Sequence, residues 1–403
     1  MSSAVRRFEL VEGSSSKFWE IKVEGVDFTV TFGRIGTAGQ SKTTTCASED
    51  AANKEAEKLI REKTKKGYHE PGAAAAWRPP VHFGTDTHLD RFLNYKVTDF
   101  NPEADPEEGD EEGRKSLPAL RDLDKRVFAL GLTFDDADED FDKRLDALLA
   151  DPKLGELRAL VVGPWWGEVC EEGPTALIKK LVAQAKKLTS LVGLMVGDVI
   201  QEECEISWIH QCDYQPLLAA LPKLEHLTVR GGDGLRFTKL AHHSLRSLTV
   251  QTGGLSSACV GDIAAADLPE LRTLTLWLGD DNYGGDSTVE DLAPILAGKR
   301  FPKLEHLGLQ DSPIADDIAL AVAKAPILSR LKGLDLSMGT LSDKGGQALL
   351  DSQAIRGLKH LNLRHHYMSE KLCKSLRGLG MEVDLSGGDH EADEDDRYIE
   401  VSE

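Results

Sequence analysis

LEHLGLQDSPIADDIALAVAKAPILSRLKGLDLSMGTLSDKGGQALL, residues 304–350, sets out two copies of one plan. Each copy opens on Leu-x-x-Leu-x-Leu, at Leu304, Leu307 and Leu309 and again at Leu331, Leu334 and Leu336. Such short alternation reads as a strand. Ile314 and Leu341, seven residues after Leu307 and Leu334, each open a stretch with helical spacing. A third copy begins at Leu358, so these three starts are 27 residues apart. One strand and one helix cannot bury their own apolar faces, and only stacked neighbours supply a continuous core.

Outward from this stretch, the same opening recurs at Leu157, Leu188, Leu224, Leu245 and Leu271, with valine sometimes replacing leucine. MEVDL at 381–385 is a degenerate last copy. Starts 36 residues apart at 188–224 and 33 apart at 271–304 require inserted loops, one of them GDDNYGGDST. A strand plus a helix at this period is the leucine-rich-repeat signature. The pattern resembles the ribonuclease-inhibitor type of repeat, which implies an α/β solenoid with a parallel concave sheet over residues 157–388. The asparagine usual after the strand in that family is Ser312, Gly339 and His366 in the best copies. Its buried amide ladder is therefore expected to be weaker, with an altered curvature.

The N-terminus is built differently. Phe18, Glu20, Val23, Phe28, Val30 and Phe32 alternate as in short antiparallel strands, punctuated by Gly25, Gly33, Gly36 and Gly39. A helix follows, with Ser48 as cap, Glu49 and Asp50 at its positive end, and Lys63, Lys65 and Lys66 before Gly67. Ala52, Ala56, Leu59 and Ile60 give it one apolar stripe. Gly33, Arg34, Gly36, Gly39 and Gln40, with EKLIREKTKKG at 57–67, resemble the WGR domain, named for a Trp-Gly-Arg run after a strand. Phe32 stands where that family has tryptophan. The resemblance implies an α+β domain, a small antiparallel sheet plus one helix, over residues 1–70. Over residues 1–70, and by pattern over 157–388, the text is similar to bacterial WGR-plus-repeat proteins.

Between the two regions, PGAAAAWRPP at 71–80 reads as a Pro/Ala linker and 81–156 as an α/β leader and solenoid cap. Within that leader, 126–134 reads as a strand, and Phe141, Leu145, Leu148 and Leu149 form a helical stripe. The acidic stretch 102–113 and the acidic end 389–403 read as solvated segments, with docking to a basic partner as the alternative. Trp165 and Trp166 are expected to cover the end of the solenoid core.

The chain of 403 residues carries a formal net charge of −20. Residues 1–70 hold 12 Lys/Arg against 11 Asp/Glu, so nearly all the excess lies beyond them. The body is thus a poor candidate for holding a polyanion by bulk attraction. No apolar run suits a membrane span, the start MSSAVRRFELVEG has no signal-peptide core, and the six cysteines lack paired spacing. Reduced thiols in a cytoplasm are expected.

No Gly-x-Ser-x-Gly, Walker-type loop or His-Glu-x-x-His is present, and no stretch reads as the transferase domain that accompanies WGR domains in poly(ADP-ribose) polymerases. The expectation is a non-enzymatic binding protein without cofactor. His226, His306 and His360 share a column of the array in non-adjacent repeats, and Cys204, His210 and Cys212 lack a fourth ligand, so no metal site is expected. Residues between the strand leucines should face the concave side. That makes Arg230, Gln251, Trp277, His306, Gln310, His360 and Arg364 candidates for binding a protein partner. The WGR resemblance implies that Phe32 stacks against a DNA end and that Arg34 supports the backbone. Lys17, Lys22, Lys42 and Arg6 would add phosphate contacts if the sheet gathers them on one face. The alternative is a purely protein–protein scaffold, favoured by the near-neutral charge of residues 1–70.

Overall fold

The computed structural model describes residues 6–12, 15–34, 37, 39–65, 86–104, 115–132, 141–165 and 172–402. Gly36, Gly67, the linker 71–80, Trp166 and most of the acidic stretch 102–113 lie outside them. Two compact units are present, Met1–Val81 and His82–Glu403.

In the first unit, strands β1 (Arg6–Glu12), β2 (Ser15–Glu24), β3 (Asp27–Arg34) and β4 (Gln40–Thr45) form an antiparallel sheet in sequential order, followed by helix α1 (Glu49–Lys65). Ser48 caps the helix by accepting the Ala51 amide at 3.2 Å. Phe8, Trp19, Ile21 and Phe28 pack against Ala56 and Ile60 as one core. Phe18 points the other way yet is 2% exposed. The Arg7 guanidinium lies 4.5 Å above its ring. Gly39 approaches the ring so closely that a Cβ there would sit 2.6 Å from Cζ and 2.8 Å from the Phe32 carbonyl oxygen. Gly39 also has φ +70°, so both space and backbone require glycine.

The second unit is a solenoid whose sheet starts well before residue 157. Strands β5 (Arg91–Phe92), β6 (Tyr95–Phe100), β7 (Ser116–Leu117) and β8 (Arg126–Leu130) lead into β9 (Ala159–Val162), β10 (Gly193–Val196), β11 (His226–Arg230), β12 (Ser247–Gln251) and β13 (Thr273–Trp277). β14 (His306–Gln310), β15 (Gly333–Asp335), β16 (His360–Asn362) and β17 (Glu382–Asp384) complete a 13-stranded sheet, parallel from β6 to β17. Helices α2 (Phe141–Ala150), α3 (Thr175–Ala183), α4 (Gln215–Ala220), α5 (Ser257–Ala265) and α6 (Val289–Leu296) alternate with the strands. So do α7 (Ala315–Val322), α8 (Asp343–Asp351) and α9 (Glu370–Arg377).

Register explains the stacking. Leu160, Leu194, Leu227, Leu248, Leu274, Leu307, Leu334 and Leu361 pair across successive strands, each buried to 1% exposure or less. Together with helix residues such as Val260, Ile263, Ile318 and Leu349 they make one core running the length of the unit. The asparagine position is served by other side chains. Ser312 Oγ accepts the Ile314 amide at 3.3 Å, and His366 Nδ1 accepts the Met368 amide at 3.2 Å. At Gly339 a Cβ would lie 2.6 Å from the Ser312 carbonyl oxygen, so only glycine fits.

The acidic end departs from the solvated reading. Residues 399–402 pack on the array, with Ile399 only 6% exposed, while the Tyr398 side chain stays 66% exposed. Composition conceals this, because the packed residues follow a strongly charged run.

Leu334 is fully buried between the Leu307 and Leu361 rungs. Leu334→Asp places an unpaired carboxylate there, at a cost of several kcal/mol. The C-terminal repeats should lose protection in amide hydrogen exchange, and an unchanged thermal melt would contradict this burial.

Candidate functional site

Strand pairing sorts the cations of the first unit by face. Phe32 pairs with Trp19, Val30 with Ile21 and Lys42, Ile21 with Arg6, and Lys17 with Arg34. Since alternate residues share a face, Arg6, Lys17, Phe32, Arg34 and Lys42 all stand on the side that carries the helix. Phe28 and Val30 pack there against α1, whereas Phe32, further along β3, is 45% exposed. Arg34, Lys17 and Lys42 are exposed and, among the described residues, make no ion pair. The Arg34 carbonyl is held by both the amide and the hydroxyl of Thr37, at 3.1 and 2.8 Å, which fixes the backbone beneath the guanidinium. Lys22 is the exception. It pairs with Thr29 on the opposite face and is bound to Glu24 at 2.6 Å.

The concave face of the solenoid is less open than its residue types promise. Three columns follow from the register. The first holds His226, Ser247, Thr273, His306 and His360, all partly exposed, with the buried Gly333 between the last two. The second holds Thr228, Thr249, Thr275, Gly308, Asp335 and Asn362, all buried. The third holds Arg230, Gln251, Trp277, Gln310, Ser337 and Arg364. Arg230, Gln251, Trp277 and Gln310 were expected to be surface anchors, but their exposures are 0%, 1%, 3% and 5%. Their polar atoms join one another: Arg230 Nε to Gln251 Oε1 at 3.2 Å, Trp277 Nε1 to Gln310 Oε1 at 3.1 Å, and Gln310 Nε2 to Ser337 Oγ at 3.0 Å. Arg364 is partly exposed but engaged by both carboxylate oxygens of Glu400. Of the expected anchors, His306 and His360 retain an accessible edge. His360 Nδ1 is 2.8 Å from Glu382.

Two segments account for much of the closure. The stretch around β5 lays Leu89, Phe92, Leu93 and Tyr95 over Val97, Val127, Ala129, Ala159, Val161 and Met195, a second apolar cluster. His88 secures it, donating from Nδ1 to the Asp198 carbonyl at 3.0 Å and from Nε2 to the Glu203 carboxylate at 3.1 Å. Burial opposes the charge on His88, but hydrogen bonds and attraction from Asp198 and Glu203 outweigh it and raise its pKa to about 10. Arg230 is drawn inward beside the same Asp198 and donates to the Val199 carbonyl at 2.8 Å. The second segment is the C-terminal stretch 398–402.

The structure also alters the cysteine reading. Cys204 is disulfide-bonded, so the expectation of uniformly reduced thiols is corrected. His210 Nδ1 pairs with Asp233 at 2.8 Å. Sequence reasoning missed another cluster, in which ligand atoms of His366, Cys373 and His390 lie within 4.8 Å of one another. His366 Nδ1 is occupied by the Met368 amide, which leaves the ring proton on Nε2, the atom facing Cys373 Sγ at 3.7 Å and the Leu385 carbonyl at 3.4 Å. That tautomer serves the repeat loop and does not offer Nε2 as a ligand. Burial also raises the Cys373 pKa, which works against a thiolate.

These features define the class: a WGR domain followed by leucine-rich repeats. The WGR domain family matches residues 4–75. Within this part, 65 residues are 42% identical to the uncharacterized protein YfeS of Escherichia coli (strain K12), covering 16% of this chain and 27% of that protein. A crystal structure of a Bacteroides fragilis protein, a structural genomics target, is 31% identical over 96% of this chain and 97% of that one, with a TM-score of 0.65. The chain belongs to the same family as that Bacteroides fragilis protein. An internalin (inlF) of Listeria monocytogenes str. 4b F2365 aligns at 16% identity and a TM-score of 0.29, covering 61% of this chain and 70% of that one. Both folds are of kinds that generally bind and do not catalyse. Among the described residues, no helix is long and apolar enough to cross a membrane.

Burial lowers the pKa of His306 from 6.5 to about 4. Between those values the unfolded chain takes up a proton that the folded chain refuses. This contribution to stability is therefore complete above about pH 6.5 and is lost as pH falls. In urea titrations at pH 7.5 and pH 5, His306→Gln should lose less stability on acidification than the wild type. The gap should be on the order of 1 kcal/mol or less, given partial exposure. Equal losses would show that His306 titrates normally.

Proposed function

We propose that this chain is a non-enzymatic adaptor whose WGR domain contacts nucleic acid and whose repeats contact a protein. The observation that carries the nucleic-acid half is Phe32, an exposed aromatic with Lys17, Arg34 and Lys42 on the same sheet face. An aromatic face beside unpaired cations suits an unstacked base and its backbone, with stacking worth about 1–3 kcal/mol per base. Arg34 offers a planar fork of donors that matches phosphate. The nearly balanced charge of residues 1–70 favours a few local contacts over bulk attraction, consistent with recognition of an end or a short single-stranded segment.

The protein half rests on the first concave column, where His306 and His360 keep an accessible edge between buried neighbours. A scaffold that binds protein alone is the second reading. It is favoured by the body's acidic charge and by the small number of cations on the Phe32 face.

The full chain should bind short single-stranded DNA or RNA with an affinity that falls steeply as salt rises. Phe32→Ala and Arg34→Ala should each weaken binding tenfold or more without changing the melting temperature. Lys22→Ala, on the opposite face, should leave it unchanged. No binding at low salt, or equal losses from all three variants, would leave the protein-only scaffold.

A further inference from the structure

Residues Tyr398–Ser402 run across the loops that follow successive strands, in the manner of a bound peptide. Tyr398 exchanges hydrogen bonds with Tyr367, whose hydroxyl meets both its amide and its carbonyl at 3.1 Å. His365 Nε2 reaches the same carbonyl at 3.0 Å. Ile399 is buried, and the Glu400 carboxylate grips Arg364 with both oxygens. One repeat on, the Glu400 amide donates to the Met338 carbonyl at 2.8 Å, and the Val401 amide then donates to Asp311 Oδ1 at 3.0 Å. Ser402 arrives at Gly253, where a Cβ would lie 2.3 Å from its carbonyl oxygen. Asp311, Met338 and His365, with φ of 54°, 72° and 55°, hold the left-handed turns on which the segment rests.

This occupant fits incompletely. Asp311 is 0% exposed, yet among the described residues its Oδ2 has no hydrogen-bond partner while the tail lies over it. Burial pushes its carboxyl well above the ordinary range. A buried, unpartnered carboxylate oxygen is costly, so covering it this way detracts from the stability of the docked tail. The segment contributes only one buried apolar side chain, Ile399, with Val401 half-covered, and is preceded by an exposed acidic run. Such a strap exchanges readily with a competitor of the same chemistry.

We propose that this groove docks an extended peptide of a partner protein in which aromatic, aliphatic and acidic residues follow one another, and that Tyr398–Ser402 fill it in cis. The proposal deepens the protein-binding reading of the repeats. It assigns Arg364 and the turns that follow β14, β15 and β16 a role that the first column does not share. Charge complementarity comes from Arg364 and His365, and order from the spacing of the turns.

The test uses the full chain and a fluorescein-labelled peptide of residues 393–403. Ile399→Asp combined with Glu400→Lys should release the tail, seen as faster exchange of the Glu400 and Val401 amides with the repeat amides unchanged. The released chain should bind the peptide at least about tenfold tighter than wild type, because the free fraction of the groove sets the apparent affinity. Adding Arg364→Glu should abolish binding, and a peptide carrying Glu400→Arg should restore it. A folded, released chain that takes the peptide no better than a scrambled sequence would overturn the proposal. So would a tail that stays docked in the double variant. If wild-type chain captures a protein through His306 and His360 and tail release changes nothing, the protein-binding reading stands and this groove is not its site.

Discussion

Everything in the second unit depends on the leucine rungs. A single strand–helix unit exposes on each side the apolar surface that its neighbours would cover, so no unit is stable without the next. From Leu160 to Leu361 the rungs pair in strict register, and that register dictates where all other residues point. Once Leu307, Leu334 and Leu361 face the helices, Gly308, Asp335 and Asn362 must face the concave side. Inserted loops are tolerated because they leave the strands and do not shift them.

The concave side then presents a second problem of burial. A curved parallel sheet gathers its inner side chains closely, and this chain fills the space from within. Leu89, Phe92, Leu93 and Tyr95 cover the first strands, and two polar links, Arg230–Gln251 and Trp277–Gln310–Ser337, occupy the third column. Asp335, in the second column beside it, accepts from Ser337 and Asn362, and its burial raises its pKa. A polar interior of this kind is stable only when each donor finds an acceptor. Arg364 at the far end finds its partner in Glu400 of the C-terminal segment.

How much of this the sequence disclosed follows from how local the signal is. The repeat period and the strand leucines are local, and strands, helices and the parallel order were legible from them. The antiparallel sheet and helix of the first unit were legible for the same reason. The depth of Trp277 or Gln310 was not, because burial on a concave face depends on segments far away in the chain. The tail was hidden for a related cause: YIEV is too short to overcome the charge of DHEADEDDR in any composition argument. Likewise Lys22 and Lys42 look equivalent in sequence, and only the pairing with Thr29 or Val30 separates their faces.

The two candidate binding regions therefore rest on opposite physical situations. Phe32 is an aromatic left exposed although its strand neighbours Phe28 and Val30 are covered, so association with a partner would bury apolar area that folding did not. At the turns after β14, β15 and β16 the resident segment already fills the groove, and binding there requires exchanging one set of contacts for another. The first kind of site gains from new contact, and salt should govern it through the neighbouring cations. The second kind gains only the difference between two occupants. Its affinity is set by how well the resident segment fits, and the unpartnered oxygen of Asp311 is where that fit falls short.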